Sequence, residues 1–405
     1  MHHFKITYWN TVPSEYIRRK DGTLATERID EVKEAGMDIF LASYDEKTNL
    51  ECMDYCQTIG LTVDVNDSRM REAVTNADDR EKLVTAVVKA YQNHPALFDY
   101  YVFDEPNAEI FDDLAAVCRL IDKLDPKHPG YINLFPNYAT SEQTGSPDYE
   151  THVKDYIKTV DPYLVSYDHY HFCKPDEKMK EGKTFATERD RMIYENAFCS
   201  TDRAGFYDNL ETVRRCSLAS GKPFMNIVLV TEHGPYRNVT EPELRLEGYQ
   251  TFAYGYSVLS WFTYWIHVNN DGFWNAHNAM IDDGVKMPHY DMVKRINGEL
   301  HLLGEELAGR KSTAVFHGND KDLGTTLFPA AGFGGITAFS GNAVIGFFED
   351  GYFCLANKNF IDPESVSLAT EKTVEHFSKQ TASWETVSPA DITLAAGDGE
   401  LFRLK

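Results

Sequence analysis

The sequence predicts a (β/α)8 barrel followed by a small all-β sandwich, and three features of the chain predict it. Short, nearly continuous apolar runs alternate with segments of helical period, eight times over. Polar and acidic residues collect at the carboxyl ends of those runs, where such barrels carry their chemistry. Near Gly309 the texture changes to short alternating runs between Gly-rich turns. The expected division is residues 1–310 for the barrel and 311–405 for the sandwich.

Taken in order, Phe4 to Trp9 reads as the first strand, and Ala25, Ile29 and Val32 mark a helix face ended by Gly36. Met37–Ala42 is the second strand; Leu50, Met53 and Cys56 mark a helix closed by Gly60. Leu61–Val65 is the third strand, and Leu83, Val87 and Tyr91 lie on the helix that His94-Pro95 breaks. The fourth strand, Tyr100-Tyr101-Val102-Phe103, runs directly into Asp104-Glu105-Pro106. Leu114, Val117, Ile121 and Leu124 share a helix face before the fifth strand, Tyr131–Phe135. Val153, Tyr156 and Ile157 precede the sixth, Tyr163–Tyr167, and a longer excursion spans Lys174–Ser200. Tyr207, Leu210, Val213 and Cys216 lead to the seventh strand, Phe224–Val230. Leu244, Tyr249 and Phe252 lead to the eighth, Val258–Trp265, and a closing helix carries Tyr290, Val293, Ile296, Leu300 and Leu303. A doubly wound open sheet is the rival architecture, but no GxGxxG follows the first strand and eight repeats favour closure.

The formal net charge of -23 argues against nucleic acid and anionic membranes, which attract basic patches. The seven cysteines are scattered without a CxxC pair, as expected of buried, reduced thiols. A strand pattern beginning at Phe4 leaves no room for a signal peptide and favours a cytoplasmic location. No apolar run is long enough to span a bilayer. The composition is compatible with a homo-oligomer.

The rim residues read off the strand ends are Trp9 and Asn10, Asn66 and Arg69, Asp104 and Glu105, Asn133 and Asn137, Tyr167, Asp168 and His169, Glu232 and His233, and Trp265, His267 and Asn269, with Trp274 beyond. Aromatic faces with amide and carboxylate acceptors suit the C–H faces and hydroxyl edges of sugars. Glycoside hydrolysis needs two acids flanking the bond, one to protonate the leaving oxygen and one to attack or to activate water. Glu105 after strand four and Glu232 after strand seven are the expected pair, with Asp168 the alternative second acid. No HExxH, phosphate-cradling Gly loop or GxSxG elbow is present. Trp265 and Trp9 suit either a sugar platform or the core.

The run His94-Pro95-Ala96-Leu97 through Phe103-Asp104-Glu105-Pro106 resembles the fourth-strand segment of clan A glycoside hydrolases near the family 42 β-galactosidases. So do Glu243-Leu244-Arg245 through Ala253-Tyr254-Gly255 and Trp261-Phe262-Thr263-Tyr264-Trp265, and the closing helix from Tyr290 to Leu300. The tail Gly397-Asp398-Gly399-Glu400-Leu401-Phe402 is similar to the sandwich that often follows. This resemblance implies a retaining hydrolase of β-linked glycosides, with Glu105 as acid/base, Glu232 as nucleophile and no cofactor. The substrate would be an oligosaccharide or simple glycoside, held by Trp9, Asp104, Asn133, Tyr167, Asp168, His169, Trp265 and Trp274. Asp104 stands where the clan has Asn, and Glu232 lies past its apolar run in Thr231-Glu232-His233-Gly234-Pro235. Those departures keep open a sugar-binding or regulatory barrel without catalysis, and the cluster of Asp168, His169 and His171 keeps open a metal-dependent sugar isomerase or hydrolase.

Overall fold

The computed structural model describes residues 4–175, 181–185, 191–192, 194–195, 201–266, 275–319 and 322–405. His267, Asn269, Trp274, Cys199 and much of the expected excursion therefore lie outside the described residues.

Eight parallel strands form the barrel: β1 (Lys5–Tyr8), β2 (Ile39–Ala42), β3 (Thr62–Val65), β4 (Leu97–Asp104), β5 (Gly130–Leu134), β6 (Val165–Asp168), β7 (Phe224–Leu229) and β8 (Val258–Phe262). They pair in sequence order, and β8 returns to β1 with Tyr8 opposite Trp261. Between β1 and β2 the Asp38 amide donates to the Ile6 carbonyl at 2.8 Å, and Asp38 Oδ2 accepts from the Ile6 amide at 2.8 Å. The barrel is thereby closed to within this seam, and helices pack against its outside.

Two departures from the sequence reading bear on the barrel mouth. A helix at Ser68–Thr75 intervenes between β3 and the expected helix, here Arg80–Tyr91. Asp67 caps it by accepting from the Arg69 amide, and Met70, Ala73 and Val74 are buried. Strand β8 stops at Phe262, short of the expected Trp265. Beyond it the Tyr264 amide donates to the Trp9 carbonyl at 3.0 Å, so the chain leaves the β7 ladder and turns over the end of β1.

The barrel interior is filled by Tyr101, Tyr131, Leu164, Met225, Ile227, Val258 and Phe262, with Trp9, Tyr163 and Tyr170 partly buried against them. Two acids share that interior: Asp64 on β3 and Asp99 on β4 are register neighbours. The larger core lies between strands and helices, and the six described cysteines are all buried free thiols.

Two short strands, β9 (Ile281–Asp282) and β10 (Val285–Lys286), are followed by the expected closing helix, Pro288–Glu306, and the chain then enters antiparallel β structure. One sheet comprises β11 (Ser312–His317), β13 (Ala343–Phe348), β14 (Tyr352–Asn357), β16 (Val374–Ser378), β17 (Ser383–Val387) and β19 (Gly399–Leu404). The other comprises β12 (Ala338–Ser340), β15 (Glu364–Ala369) and β18 (Ile392–Leu394). Ile345, Phe347, Phe353, Leu355, Phe402 and Val366 belong to the core of this small sandwich. It seats on the barrel helix Glu241–Ala253 at glycine contacts: a Cβ at Gly346 would sit 1.8 Å from the Ala253 carbonyl oxygen. Lys379 reaches from the sandwich to Asp398 at 2.9 Å, Glu400 at 3.1 Å and the barrel's Glu299 at 3.4 Å. Among the described residues no helix is long and apolar enough to cross a membrane.

Candidate active site

Strand β4 delivers its two terminal acids to the barrel mouth. The Asp104–Asn133 register pair ends the β4–β5 ladder, and the Glu105 amide donates to the Asn133 carbonyl at 2.8 Å. Glu105 holds a left-handed backbone, φ 48°, a conformation that costs a non-glycine residue free energy and that clusters at functional sites. Pro106, buried behind it, ends the strand.

Asn133 organises the acids. Its Nδ2 donates to Asp104 Oδ1 at 3.2 Å and to Asp168 Oδ1 at 3.1 Å, while its Oδ1 accepts from Ser166 Oγ at 2.8 Å. Ser166 in turn lies 3.0 Å from the Tyr131 hydroxyl inside the barrel. The amide's orientation is thus set from below, and one side chain ties the ends of β4 and β6 together. The Glu105 carboxyl completes the group by a hydrogen bond with Asp168.

Three carboxyls this close in a desolvated mouth cannot all ionise at ordinary pH. Burial, then the charges of Asp168 and Asp104, push Glu105 far above the usual carboxylate range. Burial and the Asp104 charge raise Asp168, although hydrogen bonds from Asn133 and Glu105 oppose this. Burial raises Asp104 to about 6, against the Asn133 hydrogen bond and the Arg71 charge. Glu105 is therefore the member that keeps its proton.

Glu232 stands in a different set of contacts. The β7 hydrogen bonding continues past the strand, because the Val230 and Thr231 amides both donate to the Phe262 carbonyl. Glu232 therefore sits on the extension of β7, with its own carbonyl accepting from the His277 amide at 2.8 Å. One carboxylate oxygen pairs with the Lys174 ammonium, and the other accepts from Asn278 Nδ2 at 3.2 Å. The acids that act on Glu105 are Asp168 and Asp104, and Glu232 is not among them.

The remaining expected residues divide. Trp9 is half-buried, its ring centroid 5.5 Å from that of Tyr101 at the top of the interior. Trp265 is only 2% exposed, packed against Tyr16 and beneath the Arg28 guanidinium. Its ring belongs to the core and presents no face to a ligand, because the chain has already turned outward after β8. Tyr167 is buried on the opposite side of β6 from Asp168, its hydroxyl 3.0 Å from that of Tyr256. This is the period-two alternation of a strand. His169 is buried against Tyr138, His171 and Phe206, and neither ring nitrogen has a hydrogen-bond partner among the described residues. His171 Nδ1 pairs with the Arg203 carbonyl at 3.0 Å. Among the described residues no three His, Cys, Asp or Glu side chains are grouped to hold a metal.

Sequence reasoning did not single out Tyr170, Lys174 or Asn278. Tyr170 packs on Phe262 at 4.8 Å and on Tyr236 at 5.2 Å, forming a wall of the mouth. Lys174 stood only as the first residue of an excursion, and nothing local marks Asn278.

Solved structures that share this fold include glycoside hydrolases. A β-galactosidase from Bacillus circulans sp. alkalophilus superposes with a TM-score of 0.62 at 9% identity, covering 100% of this chain and 99% of its own. A catalytic mutant of a family 42 β-galactosidase from G. stearothermophilus gives 0.61 at 10% identity, covering 100% and 99%. A family 5 glycoside hydrolase from Bacteroides vulgatus gives 0.56 at 9% identity, covering 97% and 93%. The likeness is one of fold. No protein-family model and no curated protein sequence matches the chain.

Proposed function

We propose that this protein is a glycoside hydrolase that cleaves a β-linked, galactoside-like substrate with retention, using Glu105 as acid/base and Glu232 as nucleophile. The observation that carries the proposal is Glu105: a carboxyl on the carboxyl-end rim of a (β/α)8 barrel, kept protonated by burial and by two neighbouring acids. A carboxyl that holds its proton at neutral pH is what protonation of a glycosidic oxygen requires.

In the first step a Glu232 oxygen bonds to the anomeric carbon while the glycosidic bond breaks and Glu105 gives its proton to the leaving oxygen. In the second, water attacks that carbon, its proton passes to Glu105, and Glu232 leaves. Retention corresponds to carboxyls about 5–5.5 Å apart across the bond. The half-buried Trp9 and Tyr170 offer aromatic surface to the sugar, and Asp104 accepts from a sugar hydroxyl.

Turnover of aryl glycosides by wild type, Glu105→Gln and Glu232→Ala tests the assignment. Both variants should lose activity, and azide should rescue Glu232→Ala to a glycosyl azide of inverted configuration. Unimpaired turnover by Glu105→Gln would sink the assignment. One observation favours a second reading, a sugar-binding barrel without turnover: Lys174 occupies the carboxylate that should attack. Sugar binding without turnover of any glycoside would establish that reading instead.

A further inference from the structure

We infer that Lys174 is a specificity-determining residue and that the preferred substrate is a glycoside whose glycone carries a negative charge. The inference rests on the reading of Glu232 as nucleophile. A carboxylate that must attack carbon is a weaker nucleophile when a cation neutralises it, and Lys174 pairs with one Glu232 oxygen while Asn278 donates to the other.

The lysine is built in at its backbone. Its amide donates to the Pro235 carbonyl at 2.6 Å, and the preceding residues bridge on both sides, Phe172 to Asp202 and Cys173 to Tyr236. Its side chain is 41% exposed, so the ion pair faces solvent at the mouth. A solvent-facing pair of this kind adds little stability, so exchanging its anion costs little.

Charge at the mouth is divided. The β4–β6 flank carries Asp104 and Asp168 beside the protonated Glu105, with the Arg71 charge acting on Asp104, whereas the Glu232 flank carries Lys174. Near it, Arg203 is buried between the rings of Tyr138 and Tyr236, its guanidinium 3.5 Å from the Tyr138 centroid and 3.2 Å from the Tyr236 hydroxyl. An anionic group on the sugar would meet repulsion on the first flank and take the Lys174 ammonium on the second, which frees Glu232. A neutral sugar leaves the ammonium on the nucleophile.

The test compares para-nitrophenyl β-galactoside and β-glucoside with the matching uronides and with the phosphorylated galactoside, on wild type, Lys174→Met and Lys174→Arg. The expected result is a kcat/KM at least about tenfold higher for an anionic substrate. Lys174→Met should erase that preference by slowing the anionic substrate and speeding the neutral one, and Lys174→Arg should keep it. The uronide and phosphate arms say which anion is read. Preference for neutral glycosides, or a preference that survives Lys174→Met, overturns the inference while leaving the hydrolase reading intact. If no glycoside is cleaved, or if Lys174→Met does not fold, calorimetry on wild type decides. Galacturonate binding at least about tenfold tighter than galactose supports the inference, and equal affinity overturns it.

Discussion

Glu105 and Asp168, at the ends of two strands that are not neighbours in the barrel, share one hydrogen bond in which Glu105 holds the proton. Asn133, on the strand between them, fixes the Asp168 end of that contact. The pair makes the proton of Glu105 depend on a residue from a different βα unit.

That dependence has a sign. Ionised Asp168 raises Glu105, so Asp168→Asn should lower it and bring the alkaline limb of the pH–rate profile down by about one to three pH units. The rate on aryl glycosides should fall about a hundredfold at its optimum, through a misplaced and less tightly protonated acid. A pH profile of kcat/KM for wild type and variant checks both, and an unmoved limb would separate Asp168 from the acid.

Beneath the site, Asp64 and Asp99 share a hydrogen bond, and the Tyr163 hydroxyl donates to Asp99. Burial raises both, and the Asp99 charge raises Asp64 further. The folded chain therefore binds more protons than the unfolded chain above about pH 4, and stability falls as pH rises toward and past neutrality. Asp64→Asn places an amide donor where the protonated carboxyl stood and has no proton to lose. Its Tm should exceed that of wild type at pH 8 and lose less between pH 5 and pH 8, as calorimetric scans would show.

At the junction of barrel and sandwich, Lys379 is 11% exposed and serves Glu299, Asp398 and Glu400 together. Lys379→Met leaves three largely buried carboxylates short of their cation, though Arg245 still reaches Glu299 and Asp398. The expected cost is about 3 kcal/mol, within the range for breaking a buried ion pair. Urea unfolding should show it, and a change below about 0.5 kcal/mol would mean the junction is held by its apolar contacts.

Trp9 and Trp265 should separate by readout. Trp265→Ala removes a fully packed ring and should destabilise by about 3–5 kcal/mol. Trp9→Ala opens a half-buried wall of the mouth and should raise KM several-fold, with Tm nearly unchanged. Reversed effects would exchange their roles.

The sequence by itself determined the architecture. Apolar runs alternating with helical period are local signals, and eight of them leave the chain few ways to bury both faces of a parallel sheet other than closing it. For the same reason Glu105 was legible at a strand end: an apolar run broken by two acids and a proline is written in adjacent residues. Only the tertiary structure decided what surrounds that acid. Asn133 joins Asp104 to Asp168 across separations of 29 and 35 residues, and Lys174 reaches Glu232 across 58. Trp265 went to the core because β8 ends at Phe262 and the chain turns over β1, a choice made by hydrogen bonds to residues at the other end of the barrel sequence. Periodicity records which face of an element is buried. Contacts between elements are fixed by closure, shear and loop paths, which no single stretch of the chain encodes.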